Sequence, residues 1–147
     1  MESVTLIAAG WGSGINAYLT VLILGIAGRA GWVDAPDSME QWWVLGVAAV
    51  LFVVEFVADK VPYVDNVWDV VHTAVRPGVA AALGVAIAGA DLGDWQAAAA
   101  GAGLALAGHA GKATTRLAVN TSPEPASNIV VSVLEDLSVL GVVGLAI

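Results

Sequence analysis

The chain has no cysteine, and only five of its 147 residues are lysine or arginine. Without cysteine there is no disulfide framework and no thiolate metal site. Five cations and a formal net charge of −8 cannot supply the clustered Lys and Arg that hold a phosphate backbone, so no nucleic-acid partner is expected. Charge of either sign is scarce, at 12% of residues, where a soluble domain carries about 25%. There is no glycine-rich phosphate loop, no nucleophile elbow and no HExxH pair. No basic region precedes the first apolar run, which opens with Glu2, so that run is expected to stay as a membrane span.

What fills the chain instead is apolar. Hydrophobic residues make up 59% and the mean hydropathy is +0.83. This composition predicts an all-α polytopic transmembrane protein. One membrane domain is expected over residues 1–147, with about five spans, one of them broken or kinked. The first span, residues 4–28, is interrupted by Gly10, Gly12 and Gly14 and then by Asn16 and Tyr18. It is read as broken or tightly packed in its first half, with Asn16 as an interhelical hydrogen-bonding group. The second span covers 42–58. The third starts near Tyr63. Its apolar part beyond Pro77 is 13 residues, too short for a core that needs about 20. The preceding charged stretch must therefore lie at membrane depth, in one long helix kinked at Pro77; a re-entrant or interfacial helix followed by a short span is the alternative. The fourth and fifth spans are expected over 95–110 and 126–147.

Trp32, Trp42 and Trp43 flank a polar loop and read as interface anchors. With five spans, Lys60, Arg76, Lys112 and Arg116 fall on one side and the acidic turns 34–40 and 91–94 on the other. The positive-inside rule then predicts a cytoplasmic N-terminus and an external C-terminus. Gly10/Gly14, the small residues of 97–111 and Gly141/Gly144 offer close-packing faces, from which a homo-oligomer in membrane lipid is expected.

The chemistry concentrates in residues 55–77. Glu55 and Asp59 are four apart, and Asp65, Asp69, His72 and Arg76 fall at i, i+4, i+7 and i+11. That spacing stacks each set on one helix face. His109, Lys112 and Arg116 repeat the pattern with basic residues, His109 being read as a helix-end cation near the membrane surface. Glu135 and Asp136 lie inside the last span, where each carboxylate costs about 2.5–3.5 kcal/mol to insert. A 63-residue offset pairs Pro62 with Pro125, Asp65 with Asn128, Asp69 with Ser132 and His72 with Glu135, which suggests an internal two-helix repeat.

These residues predict a polar vestibule open to the cytoplasm. Glu55, Asp59, Asp65, Asp69, His72, Asn128, Glu135 and Asp136 would bind a small ion or polar solute; Glu124 is a further acid assigned to the same half. Lys60, Arg76, Lys112 and Arg116 would serve as counter-ions or phosphate-binding groups. Asp65, Asp69 and Glu135 are candidate hard ligands for a divalent cation, the one cofactor the side chains suggest. Three readings follow. In the first, a transporter or channel carries a cation or small polar solute. In the second, a metal-dependent membrane enzyme works on a phospholipid or isoprenoid phosphate head group. In the third, ion pairs only fix helix register. No catalytic residue is assigned.

Four stretches, residues 13–29, 55–77, 109–128 and 132–139, together resemble an uncharacterised bacterial membrane family, domain-of-unknown-function family 4126. The resemblance covers nearly the whole chain and implies a small multi-span protein of the bacterial inner membrane. It implies no activity and no role for any residue.

Overall fold

Asn16 has φ −146° and ψ 97° inside an otherwise helical run, α1 (Glu2–Arg29). In this computed structural model the run folds back on itself there. In a straight helix residues 12 and 20 would lie about 12 Å apart; here a Cβ placed on Gly12 would sit 2.9 Å from the Thr20 hydroxyl. Both ends of α1 line the same cleft, through Ser3 and Thr5 at one end and Gly28 and Gly31 at the other. The first helix is therefore a hairpin of two arms, with Asn16 at its tip.

The structure describes residues 2–61, 63–88, 92–121 and 125–147. Four more helices follow α1: α2 (Trp42–Ala58), α3 (Val64–Ile87), α4 (Asp94–Asn120) and α5 (Pro125–Gly144). They run alternately between two faces. On one face lie both ends of α1, the loop of residues 34–40 and the end of α5, where the Thr5 hydroxyl donates to the Ala146 carbonyl at 2.8 Å. On the other lie Lys60, the start of α3 and the end of α4, joined by the Asn120 amide donating to Asp65 at 2.8 Å.

The expectation of termini on opposite sides is thus overturned: residues near both ends of the chain share the face of the acidic loop. Sequence hydropathy could not show this, because a folded-back helix and a straight one have the same apolar composition. By length and composition α1, α3 and α5 each qualify as membrane spans, and α1 is the most buried of the three, but the break at Asn16 leaves α1 as two short arms that return to one face. α1 is the centre around which α2–α5 pack.

The remaining boundaries divide between agreement and correction. α2 ends where expected. α3 passes through Pro77 as one 24-residue helix, so the interfacial-helix alternative does not form. α4 runs to Asn120, ten residues beyond the expected end at residue 110, because its basic residues face inward and continue the helix. Asp91, Pro62 and Glu124, which the sequence places in a turn, the repeat and the charged half, lie outside the described residues.

Packing inverts the soluble pattern. Val50, Val53, Val67, Val70, Leu134 and Leu137 are exposed, whereas Asp65, Glu55, Arg76 and Arg116 are fully buried. Lipid is the solvent that this arrangement suits. Trp32, Trp42, Trp43 and Trp95 are each more than two-thirds exposed and ring the acidic face, where amphipathic rings meet head groups.

The small residues serve internal packing. A Cβ on Gly84 or Gly101 would overlap the carbonyl of Ala97 or Ala80 across the α3–α4 contact, and one on Gly14 would overlap Ala105. Of the small residues expected to join copies of the chain, Gly10, Gly14, Gly101 and Gly108 are spent inside one copy, whereas Gly103, Gly111, Gly141 and Gly144 meet nothing within 4 Å. Gly101→Ala is expected to cost about 1–3 kcal/mol through overpacking. Gly103→Ala, in open space on the same helix, is expected to be neutral or to gain up to about 1 kcal/mol of helix propensity. Thermal unfolding of the two variants in detergent checks the contrast.

Candidate functional site

The α3 stripe faces inward as its spacing predicts: Asp65, Asp69, His72 and Arg76 are all buried. α2 contributes buried Glu55 and its C-cap Asp59, α4 buried His109, Lys112 and Arg116, and α5 buried Asn128 and Ser132 with partly exposed Glu135 and Asp136. The two stripes matched in the repeat, on α3 and α5, both point into the bundle and meet at Arg116. That guanidinium donates to Asn128 Oδ1 at 2.7 Å and lies 4.0 Å from Asp65.

The charges form a continuous ladder. Arg76 pairs with Asp69 at 3.0 Å and Glu55 at 2.6 Å. Lys112 pairs with Glu55 at 3.3 Å and Asp59 at 2.6 Å. Arg116 pairs with Asp59 at 3.4 Å and Glu135 at 2.5 Å, and donates to the Asp59 carbonyl. Along α3 the ladder covers the twelve residues from Asp65 to Arg76, roughly 16 Å, about half of a ~30 Å hydrocarbon core. The other half is filled by α1 and an apolar core that includes Leu24, Leu83, Val139 and Val143.

Most of the cluster is buried. Glu55, Asp65, Arg76 and Arg116 have no exposed surface and each lies within 4.0 Å of an opposite charge, whereas Glu135 and Asp136 are partly exposed. Among the described residues no group of three or more His, Asp or Glu is placed to hold a metal ion. Asp65 and Glu135 turn to Arg116, and Asp69 to Arg76.

The histidines extend the ladder toward α1. His72 Nδ1 lies 2.8 Å from the Trp68 carbonyl, which can only accept, so that nitrogen carries a proton. Its Nε2 lies 3.0 Å from the Tyr18 hydroxyl. His109 is buried at mid-helix, not at a helix end near the surface. Its Nδ1 lies 2.5 Å from an Arg76 N–H, which can only donate, so His109 is neutral, with its proton on the Nε2 that faces Thr73 at 2.9 Å.

The tip of α1 is held at both broken ends. Where the first arm stops, the Ile15 carbonyl accepts from the Lys112 ammonium at 3.1 Å, a cation at the negative end of a helix. Where the second arm starts, the Asn16 side chain accepts from the Leu19 N–H at 3.0 Å as an N-cap. Asn16 Nδ2 donates to Asp136 at 2.9 Å, which places an acid at the positive end. The expectation of Asn16 as an interhelical hydrogen-bonding group holds.

Lys60 stands apart from the other cations. Its ammonium donates to the Phe56 carbonyl and to Ser132 at 3.2 Å, tying the end of α2 to α5. Burial lowers its pKa from the ordinary lysine value, while the carboxylates of Asp136 and Asp59 act in the opposite direction.

Sequence reasoning missed Tyr18, Thr73 and Asn120 as partners. Tyr18 and Asn120 left a weak signal, as polar groups next to apolar runs; Thr73 left none.

An apolar exterior, a largely buried ion-pair ladder and a folded-back first helix define a helical membrane protein. The chain belongs to the family described as a domain of unknown function, DUF4126, whose model matches residues 4–147. No curated protein and no solved structure matches it.

Proposed function

We propose that this protein moves a small cation across a bacterial inner membrane, with the buried ladder as the site that binds it and the proton as the cargo. The carrying observation is an imbalance. Six carboxylates in the cluster (Glu55, Asp59, Asp65, Asp69, Glu135, Asp136) meet four cations (Lys60, Arg76, Lys112, Arg116), leaving two negative charges unmatched. One oxygen each of Glu55, Asp59, Asp69 and Asp136 is buried without a hydrogen-bond donor. An unpaired buried carboxylate costs several kcal/mol or takes up a compensating charge. The close packing favours the smallest such charge, a proton. Intramembrane ladders of acid, histidine and base are also the physical form that proton relays take.

Transport requires the ladder to exchange partners. Arg76 and Lys112 each touch two carboxylates and Arg116 three, so each can lean to one acid as another is neutralised. The lipid head-group reading has less to rest on, since Arg76, Lys112 and Arg116 are already occupied by carboxylates.

Purified protein in liposomes, with a potassium-diffusion potential and an internal pH dye, tests the proposal. Wild type is expected to acidify or alkalinise the lumen in response to the potential. Glu55→Gln is expected to lose most of that flux while remaining folded. Equal flux in wild type, Glu55→Gln and empty liposomes would reject it.

A further inference from the structure

Asp136 differs from every other acid of the cluster. Glu55, Asp59, Asp65, Asp69 and Glu135 each face a lysine or arginine within 4.0 Å. Among the described residues Asp136 makes no ion pair; its one hydrogen bond comes from the neutral Asn16 amide, at the point where α1 breaks. Its second oxygen is buried without a donor.

We propose that Asp136 is a proton-binding site at the tip of the α1 hairpin, and that the bound proton keeps the hairpin docked on the ladder. This deepens the transport reading, on which it rests for its role, by naming where a coupling proton sits.

The surroundings favour one state. The charged groups that act on Asp136 are Lys112 of α4, Asp59 and Glu55 of α2, and Lys60 of the α2–α3 turn; Glu135 precedes it on α5. Lys112 is divided between Glu55, Asp59 and the Ile15 carbonyl, so it is not available to Asp136 alone. The Lys60 ammonium bonds Ser132 and the Phe56 carbonyl. With the proton on Oδ2, Asp136 keeps the Asn16 bond through Oδ1 and leaves no bare anionic oxygen. Without it, a carboxylate is held beside other carboxylates with one oxygen unserved. That oxygen has no accessible surface, so water reaches it only if the packing around it opens, and the tip of α1 is the neighbour that holds the other oxygen. Docking and proton binding therefore reinforce each other, and both are lost together as pH rises.

The break makes such movement cheap. Asn16 is already non-helical, so the two arms share no continuous hydrogen-bond ladder there. The tip is held by few polar contacts to other helices, those of Lys112 and Asp136 and, two residues on, that of the Tyr18 hydroxyl with His72. Above the tip, the cleft of about 1000 Å³ at the acidic face lies between the ends of the two arms. Displacement of the hairpin would open the path from that cleft to the ladder.

Hydrogen exchange of the backbone amides of residues 12–20 in lipid nanodiscs, expressed as protection factors across pH, tests the inference without measuring flux. Wild type is expected to lose protection at alkaline pH, with a limiting slope of about tenfold per pH unit, the signature of one linked proton. Asp136→Asn, an uncharged near-isostere, is expected to stay protected throughout. Glu135→Gln, one residue away and already paired with Arg116, is expected to retain the wild-type pH dependence. The same slope in wild type and Asp136→Asn, or no slope in either, would overturn the proposal, as would transfer of the slope to Glu135→Gln. A wild-type slope replaced at constant pH by dependence on sodium would overturn it too, by making the ligand a metal cation. If the protection data hold and liposome flux is absent, the transport reading fails and the proton site stands.

Discussion

Replacing Arg116 with leucine is expected to cost about 3–5 kcal/mol of stability, the range for breaking a buried ion pair from one side. Arg116 has no exposed surface and serves Glu135, Asn128 Oδ1, the Asp59 carbonyl and Asp65 at once. Its loss leaves Glu135 without its nearest cation and several acceptors without a donor. The leucine itself is not the problem, since a wholly apolar replacement of a buried pair is often neutral. Arg116→Leu with Glu135→Leu should therefore recover part of the loss, although Asp59, Asp65 and Asn128 stay unserved. Denaturant titration of wild type and the two variants in mixed micelles reads this out. Equal stability of Arg116→Leu and wild type would mean that the charge of Arg116 is not needed inside the bundle.

The second large effect is expected at Lys112. Its ammonium bonds Asp59, Glu55 and the Ile15 carbonyl, so it serves the ladder and the α1 break together. Lys112→Met keeps much of the volume and removes the charge. The expected loss is again about 3–5 kcal/mol, with an additional feature that Arg116→Leu lacks. Protection of amides 12–20 should fall further than that of the rest of the protein, because the first arm of α1 loses the cation at its carboxyl end. Adding Asp59→Asn to Lys112→Met should restore part of the global stability, by removing an acid left with only its 3.4 Å contact to Arg116, while leaving the tip of α1 loose. Recovery of both together would show that Lys112 acts on α1 only through overall stability.

The charged interior was legible in the sequence because side-chain spacing is a local property. Asp65, Asp69, His72 and Arg76 at helical intervals share one face whatever surrounds them, and the structure buries that face. The same holds for His109, Lys112 and Arg116. What those faces would meet was not legible. Hydropathy stops α4 before Lys112, since basic residues usually mark a helix leaving the membrane. Here they are neutralised by α2, α3 and α5, helices up to 57 residues away in the chain. How closely the charges pack was not legible for the same reason: counting acids and bases gives the balance of charge but not the distances between them.

The folded-back first helix shows a different limit. Gly10, Gly12 and Gly14 drew attention to that stretch, but Gly14 and Gly10 serve close approach to α4 and the break is at Asn16. One residue in extended geometry leaves almost no trace in an apolar run. Its cause is distant, in Lys112 at the Ile15 carbonyl and Asp136 at the Asn16 amide. From that one residue follows the error in the membrane topology, because a chain whose first helix returns to its starting face places both termini together.

The unmatched negative charge inside the bundle can be read directly by infrared absorption of the protein in lipid near neutral pH. Protonated carboxyl groups absorb apart from carboxylates, and the band shifts in heavy water. A protonated-carboxyl band at neutral pH that weakens in Asp136→Asn is the expected result. A spectrum in which every carboxyl of the protein is ionised at neutral pH would contradict a buried ladder that holds protons.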